Sequence, residues 1–143
     1  MILFHAVLDT NVLVSALLSS NVRDSAPLRV IEHALAGRIV PLFCDKILNE
    51  YYDVLLRKKF SFDPAMVALL IEELKKRGEM LEPVPCDELF PDPDDAVFYE
   101  TVLAKSSDIC SFLVTGNRKH FPDSSFVLTP RQMLDLIEIT DFL

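Results

Sequence analysis

Short apolar runs alternate along the chain with longer stretches whose apolar residues recur at helical spacing. Ile2 to Leu8 is short and almost continuously apolar, which predicts a buried strand. Val12 to Leu18 reads as a short helix, with Asn11 as its N-cap. Ala26 to Ala36 reads as a second helix, with Pro27 in its first turn and Gly37 past its end. Ile39 to Cys44 reads as a strand. Asp45 is expected to cap a helix reaching about Lys58, with Ile47, Leu48, Tyr51, Val54 and Leu55 on one face. Asp63-Pro64 opens a helix that closes on Lys75-Lys76-Arg77-Gly78. Met80 to Val84 can only be an edge strand, because Pro83 and Pro85 have no N–H for a central ladder. Pro85 to Asp94 reads as a loop, and a helix follows from Asp94 or Asp95 to about Lys105. Ser111 to Thr115 and Phe126 to Leu128 read as strands, and Pro130 starts a last helix to about Ile137.

Strands separated by helices imply βαβ units, hence an α/β fold with a parallel sheet and helices on both faces. The chain has 143 residues. It has no internal repeat and no linker long enough to divide it, so residues 1–143 are expected to form one domain. Half the residues are apolar and a quarter charged, which is globular and not disordered. The first apolar run is broken by His5 and Asp9, so no signal peptide is expected. No run is long enough to span a bilayer, and a cytoplasmic location is the expectation. Cys44, Cys86 and Cys110 include no CxxC pair. They are expected to be reduced thiols, at least two of them buried, and not a zinc site. The formal net charge of −8 excludes binding nucleic acid through bulk positive charge. It leaves room for a protein that binds cations first and phosphates through them.

The candidate chemistry is acidic. Asp9 stands where the first strand ends, at Leu8-Asp9-Thr10-Asn11. Glu50 lies at the edge of its helix's apolar stripe, between Ile47 and Val54. Asp92, Asp94 and Asp95 are three acids within four residues. Capping and the helix dipole explain one of them, whereas three repel one another. Asp95 shares a helical face with Tyr99 and Val102, so it should project inward. Asn117 follows the apolar run Phe112-Leu113-Val114 through Thr115-Gly116. In a parallel sheet the ends of the strands and the starts of the following helices share one edge. Two carboxylates about 4 Å apart there repel by roughly 4 kcal/mol at an effective dielectric near 20. Raising a pKa or binding a cation relieves this. Hard oxygen ligands without His or Cys favour Mg²⁺ or Mn²⁺. The EF-hand pattern is absent.

These four patches, in this order and spacing, resemble the PIN-domain family, of the small stand-alone prokaryotic type that forms the toxin half of toxin–antitoxin pairs. The resemblance rests on Leu8-Asp9-Thr10-Asn11-Val12 with Ser15, on Glu50, on Asp92-Pro93-Asp94-Asp95 with Phe98, and on Val114-Thr115-Gly116-Asn117 with Lys119-His120-Phe121. It implies a three-layer α/β/α sandwich around a central parallel sheet. It implies an endoribonuclease that hydrolyses RNA phosphodiester bonds with Mg²⁺ or Mn²⁺, leaving 5′-phosphate and 3′-hydroxyl ends. By this likeness Asp9, Glu50 and Asp95 are the catalytic metal ligands. Asn117 stands where many members have a fourth aspartate, and Asp92 is a peripheral acid. Thr10, Asn11, Ser15 and Thr115 are orienting groups. Arg118, Lys119 and His120 are candidates to contact the RNA. An antitoxin protein and a homodimer are the implied partners, and the apolar helices around Val30 to Leu35 and Met66 to Leu74 are surfaces that could receive them. Two alternatives stand beside this reading. One is a PIN-like module that binds RNA or protein without cutting. The other is an Asp-nucleophile phosphotransferase, which needs a second Asp at the position held by Asn11.

Overall fold

The computed structural model describes residues 2–105 and 110–143. Five parallel strands form one sheet in the order β3-β2-β1-β4-β5: β1 Phe4–Leu8, β2 Ile39–Phe43, β3 Glu79–Met80, β4 Ser111–Val114 and β5 Val127–Leu128. Around it pack α1 Thr10–Leu18, α2 Ala26–Leu35, α3 Asp45–Leu55, α4 Pro64–Arg77, α5 Ala96–Leu103 and α6 Pro130–Phe142. The expected α/β architecture is therefore present.

β1 sits at the centre, paired to β2 on one side (Val7 opposite Leu42) and to β4 on the other (Leu8 opposite Val114). The chain grows outward from β1 through β2 to β3, then returns through α5 to β4 on the opposite side. Right-handed crossovers of opposite direction put the early helices and α5 on opposite faces. Ala6, Val7, Leu8, Leu42, Leu113 and Val114 are all buried. This is what burial on both faces requires, and it is why these strands read as continuous apolar runs. The two outer strands are only two residues long, which leaves little unpaired edge.

Several boundaries differ from the sequence expectation for identifiable reasons. Asp9, not Asn11, is the N-cap of α1: its backbone is extended and its carbonyl accepts the Val12 N–H at 2.9 Å. Asn11 sits inside the first turn, and its side chain is used elsewhere. Cys44 is the N-cap of α3 and Asp45 its first residue, and α3 stops at Leu55 instead of continuing to Lys58. A separate 3₁₀ turn follows at Lys58–Phe60. The third strand keeps only Glu79–Met80, and beyond it Leu81 N–H still bonds Phe43 C=O at 2.8 Å. α6 runs five residues past Ile137. It starts from a capping box in which the Thr129 hydroxyl accepts the Gln132 N–H at 3.1 Å and the Gln132 carbonyl oxygen accepts the Thr129 N–H at 2.9 Å.

Of the cysteines only Cys44 is buried, while Cys86 and Cys110 are half-buried, so the expectation of two buried thiols corrects to one. Val30, Ile31 and Ala34 of α2, and Val67, Ile71 and Leu74 of α4, are buried in the chain's own core. Their apolar stripes are spent on packing. Among the described residues no helix is long and apolar enough to cross a membrane.

Candidate active site

The reversal of chain direction at β1 and β4 opens a crevice beyond their C-terminal ends, where open α/β sheets place ligands. Asp9 leaves β1 at this point. Its N–H bonds the Val114 carbonyl at 2.9 Å, so the first residue beyond each strand is held against its neighbour. Asp9 is 7% exposed. Thr115, fully buried, donates its hydroxyl to Asp9 Oδ2 at 2.7 Å and accepts the Asn117 N–H at 3.1 Å. Asn11 Oδ1 accepts the Gly116 N–H at 3.0 Å. These bonds join the end of β4 to the start of α1.

Glu50 comes from the middle of α3. Thr10, directly after Asp9, donates its hydroxyl to Glu50 Oε2. The neighbouring Tyr51, buried, donates its hydroxyl to the Leu8 carbonyl at 2.6 Å. Two consecutive residues of α3 are thus tied to Leu8 and Thr10, the two residues that flank Asp9 at the end of β1. In the sequence Tyr51 reads only as part of the apolar stripe. The signal for more was its hydroxyl, since a buried Tyr O–H needs a partner.

Asp95 arrives from the third direction, as the last residue of a 3₁₀ turn, Pro93–Asp95, and the N-cap of α5. Its side chain is 18% exposed. It makes no capping bond with the helix and faces His120 Nδ1 at 3.6 Å. On its other side the His120 Nε2 lies 3.0 Å from the Asn117 side-chain amide nitrogen, so the ring stands between Asn117 and Asp95. Asp92 is exposed and caps the turn by accepting the Asp94 N–H at 3.0 Å.

The three acids feel one another. Burial raises the Asp9 carboxyl above its ordinary value, against the hydroxyl of Thr115 and the amides of Asn11 and Thr10, which hold it down. Burial also raises Glu50, and the Asp9 and Asp94 charges add to it. Asp95 is pushed up to about 6, first by burial and then by the charges of Asp9 and Asp92. Three carboxylates from three chain-distant elements are therefore near enough for their charges to interact. A cleft of about 380 Å³ opens beside Glu50, the one of the three that lines it, with Lys46, Pro83, Asp94 and Glu100. A larger cleft of about 500 Å³, bounded by Cys44, Lys46, Met80 and Pro83, contains none of the three acids.

The other predicted residues divide. Thr10, Asn11, Thr115 and Asn117 lie within the bonded network around Asp9. Ser15 is exposed one turn further along α1, and no hydrogen bond of its hydroxyl reaches the acids among the described residues. His120, itself exposed, faces Asp95 and Asn117. Arg118 pairs loosely with Asp123 at 3.7 Å, and Lys119 is exposed without an ion pair among the described residues.

A divalent cation fits this donor set in chemistry. The facing groups are carboxylate and amide oxygens, and their mutual repulsion is what a hard cation relieves. Among the described residues no three His, Cys, Asp or Glu side chains converge as a finished chelate. The hydroxyls of Thr10 and Thr115 take one oxygen each of Glu50 and Asp9.

An open parallel sheet with helices on both faces, and acids gathered beyond its central strands, defines the class: a three-layer α/β/α protein with a carboxylate site at the switch point. Residues 5–119 match the PIN domain, most of the chain, and the protein belongs to that family. PIN domains are generally nucleases that use divalent metals. No curated protein matches the chain significantly.

Proposed function

We propose that the protein is a Mg²⁺- or Mn²⁺-dependent endoribonuclease with Asp9, Glu50 and Asp95 as its catalytic metal ligands. The observation that supports this reading is that those three acids, from the end of β1, the middle of α3 and the start of α5, raise one another's proton affinity across the fold, with Asp9 buried against Thr115 and Glu50 held by Thr10. A bound divalent cation would supply Lewis-acid charge for the phosphate and a lowered pKa for water. The chain's own residues do the positioning. Thr115 fixes Asp9 through Oδ2, and the amides of Asn11 and Thr10 hold the same carboxylate. Thr10 fixes one oxygen of Glu50 and leaves the other. Asn117 offers an amide oxygen in place of a fourth carboxylate, so this site carries one negative charge less and depends more heavily on the three acids. His120, 3.6 Å from Asp95, stands where it can pair with that carboxylate. Asp92 adds negative charge at the periphery, and Arg118 and Lys119, which follow Asn117 directly in the chain, supply cationic groups for RNA phosphates.

The test is cleavage of single-stranded RNA with Mn²⁺. Wild-type protein is expected to cut it and to stop when EDTA is added. Asp9→Asn, with an unchanged circular dichroism spectrum, is expected to lose at least about 10²-fold in rate, the scale on which loss of one transition-state electrostatic contact is felt. Cleavage persisting in that variant would overturn the assignment. A toxin role, with an antitoxin and a homodimer as partners, extends the same reading. Its support is the family to which the chain belongs, and its test is co-purification with the product of the adjacent gene.

A further inference from the structure

We infer that the turn Arg57–Phe62, after α3, is a second contact site for the same substrate: a platform for the backbone and bases of single-stranded RNA entering or leaving the acidic pocket. This rests on the proposed nuclease function. The sequence places Arg57-Lys58-Lys59 as the end of a helix, where the carbonyl dipole gives three cations an ordinary reason to gather. The structure removes that reason. α3 ends at Leu55, and Lys58–Phe60 form their own 3₁₀ turn. Arg57 shares an exposed pair with Asp53 at 3.2 Å, while Lys58 and Lys59 pair with no acid among the described residues. Lys59 Nζ lies 5.1 Å over the Phe60 ring. The Phe60 and Phe62 rings stack at 5.4 Å with their planes 10° apart, and both are half-exposed. Ser61 between them holds φ at 55°, a left-handed conformation that few non-glycine residues adopt. The other basic run behaves differently: Lys75 pairs with Glu72, and Lys76 and Arg77 pair with Glu73.

Flat rings beside unneutralised cations match a strand that alternates bases and phosphates. Base–aromatic stacking and backbone charge are how sequence-tolerant single-strand sites are built. One face of each ring is already against the other and Lys59 stands over Phe60; an acidic peptide would satisfy the lysines but bring no base to extend that stack. The position also suits one continuous strand. Arg57, at the start of the turn, lies close enough that its charge acts on the Glu50 carboxylate. A protein of net charge −8 gains most from cations concentrated where the strand passes.

The experiment measures binding of a fluorescent 12-nucleotide RNA by anisotropy, without divalent metal, on the Asp9→Asn protein as parent. Adding Lys58→Glu and Lys59→Glu is expected to weaken binding at least about tenfold and to reduce the log–log salt slope by about 1.4, two phosphate contacts at roughly 0.7 each for a single strand. Phe60→Leu keeps an apolar side chain and removes the ring face, and is expected to weaken binding about tenfold. Lys75→Glu with Lys76→Glu, on α4, is the control expected to leave affinity unchanged. Affinity and salt slope equal to the parent's in the Lys58/Lys59 reversal would overturn the site, as would a parent that does not bind the strand. Wild-type protein with Mn²⁺ on the same RNA separates the two proposals. Cleavage with no role for Lys58, Lys59 and Phe60 removes this one alone. Binding that depends on them without any cleavage removes the nuclease reading alone.

Discussion

Tyr51 shows how one hydroxyl sets the geometry of two acids. Its bond to the Leu8 carbonyl is short and buried, and it lies between Asp9, which follows Leu8, and Glu50, which precedes Tyr51. Burial, with the Asp9 and Glu50 charges behind it, drives the phenol pKa well above its usual value, so this group stays a donor at any working pH. Tyr51→Phe removes the donor and leaves a buried carbonyl unpaired. It is expected to lose about 1–3 kcal/mol of stability in urea unfolding. The same variant should weaken Mn²⁺ binding if the tether spaces Glu50 from Asp9. An isothermal titration with an unchanged affinity would confine Tyr51 to a packing role. Asp9 and Asn117 were legible from sequence because strand ends carry their own signal, a polar residue closing an apolar run. Tyr51 was not, because its aromatic body fits an apolar stripe as well as any leucine.

At the scale of elements, helix starts were legible to within a residue or two: Asp63-Pro64 opens α4, whereas Asp9 and Cys44, not Asn11 and Asp45, cap α1 and α3. Ser25 caps α2 and Asp63 caps α4, accepting from Leu28 N–H at 3.3 Å and Ala65 N–H at 2.9 Å. The capping box of α6 was also written in the chain, as Thr129-Pro130-Arg131-Gln132. Thr129→Ala is expected to cost about 1 kcal/mol, visible as a lower thermal midpoint. Gly78 ends α4 for a different reason. A Cβ there would run into the Phe43 ring and the Pro41 carbonyl, so the helix must pass β2 without a side chain. Gly78→Ala is expected to destabilise by roughly 1–3 kcal/mol, as overpacking does; stability equal to wild type would mean that β2 yields easily. The boundary of α3 could not be read, because Leu56 and Arg57 are acceptable helix residues. The chain leaves the helix at Leu56 and turns back through Ser61 toward α4, a path set by where α4 packs on α3.

For the molecule as a whole, the raised carboxylates link stability to pH. Asp95 titrates near 6 in the folded protein against an ordinary value of 3.8. The folded state thus holds its proton more tightly than the unfolded state. The stabilisation from that proton is complete below about pH 4 and is lost as pH rises through 6. Asp9 and Glu50 shift the same way. Glu73 and Asp141 are held below their usual range by Arg77 and Arg38, so they titrate under this window. The metal-free protein is expected to melt lower at pH 7 than at pH 5. Mn²⁺ is expected to restore stability, and by more at pH 7, because binding then displaces fewer protons. Equal melting shifts with Mn²⁺ at the two pH values would argue against the three acids as ligands.

The sequence alone determined the alternation of strands and helices, because side-chain periodicity and capping are local. It also determined which polar residues stand at strand ends and helix starts. Only the tertiary structure decided that the ends of β1 and β4 lie side by side, with α3 and α5 bringing Glu50 and Asp95 to the same crevice. That depends on strand order, a matter of packing among residues more than a hundred positions apart. It also decided that His120 belongs with Asp95, and that Arg57, Lys58 and Lys59 stand on a turn of their own beside two stacked rings. A charge or an aromatic ring is visible in the chain, but its neighbour across the fold is set only when the core closes.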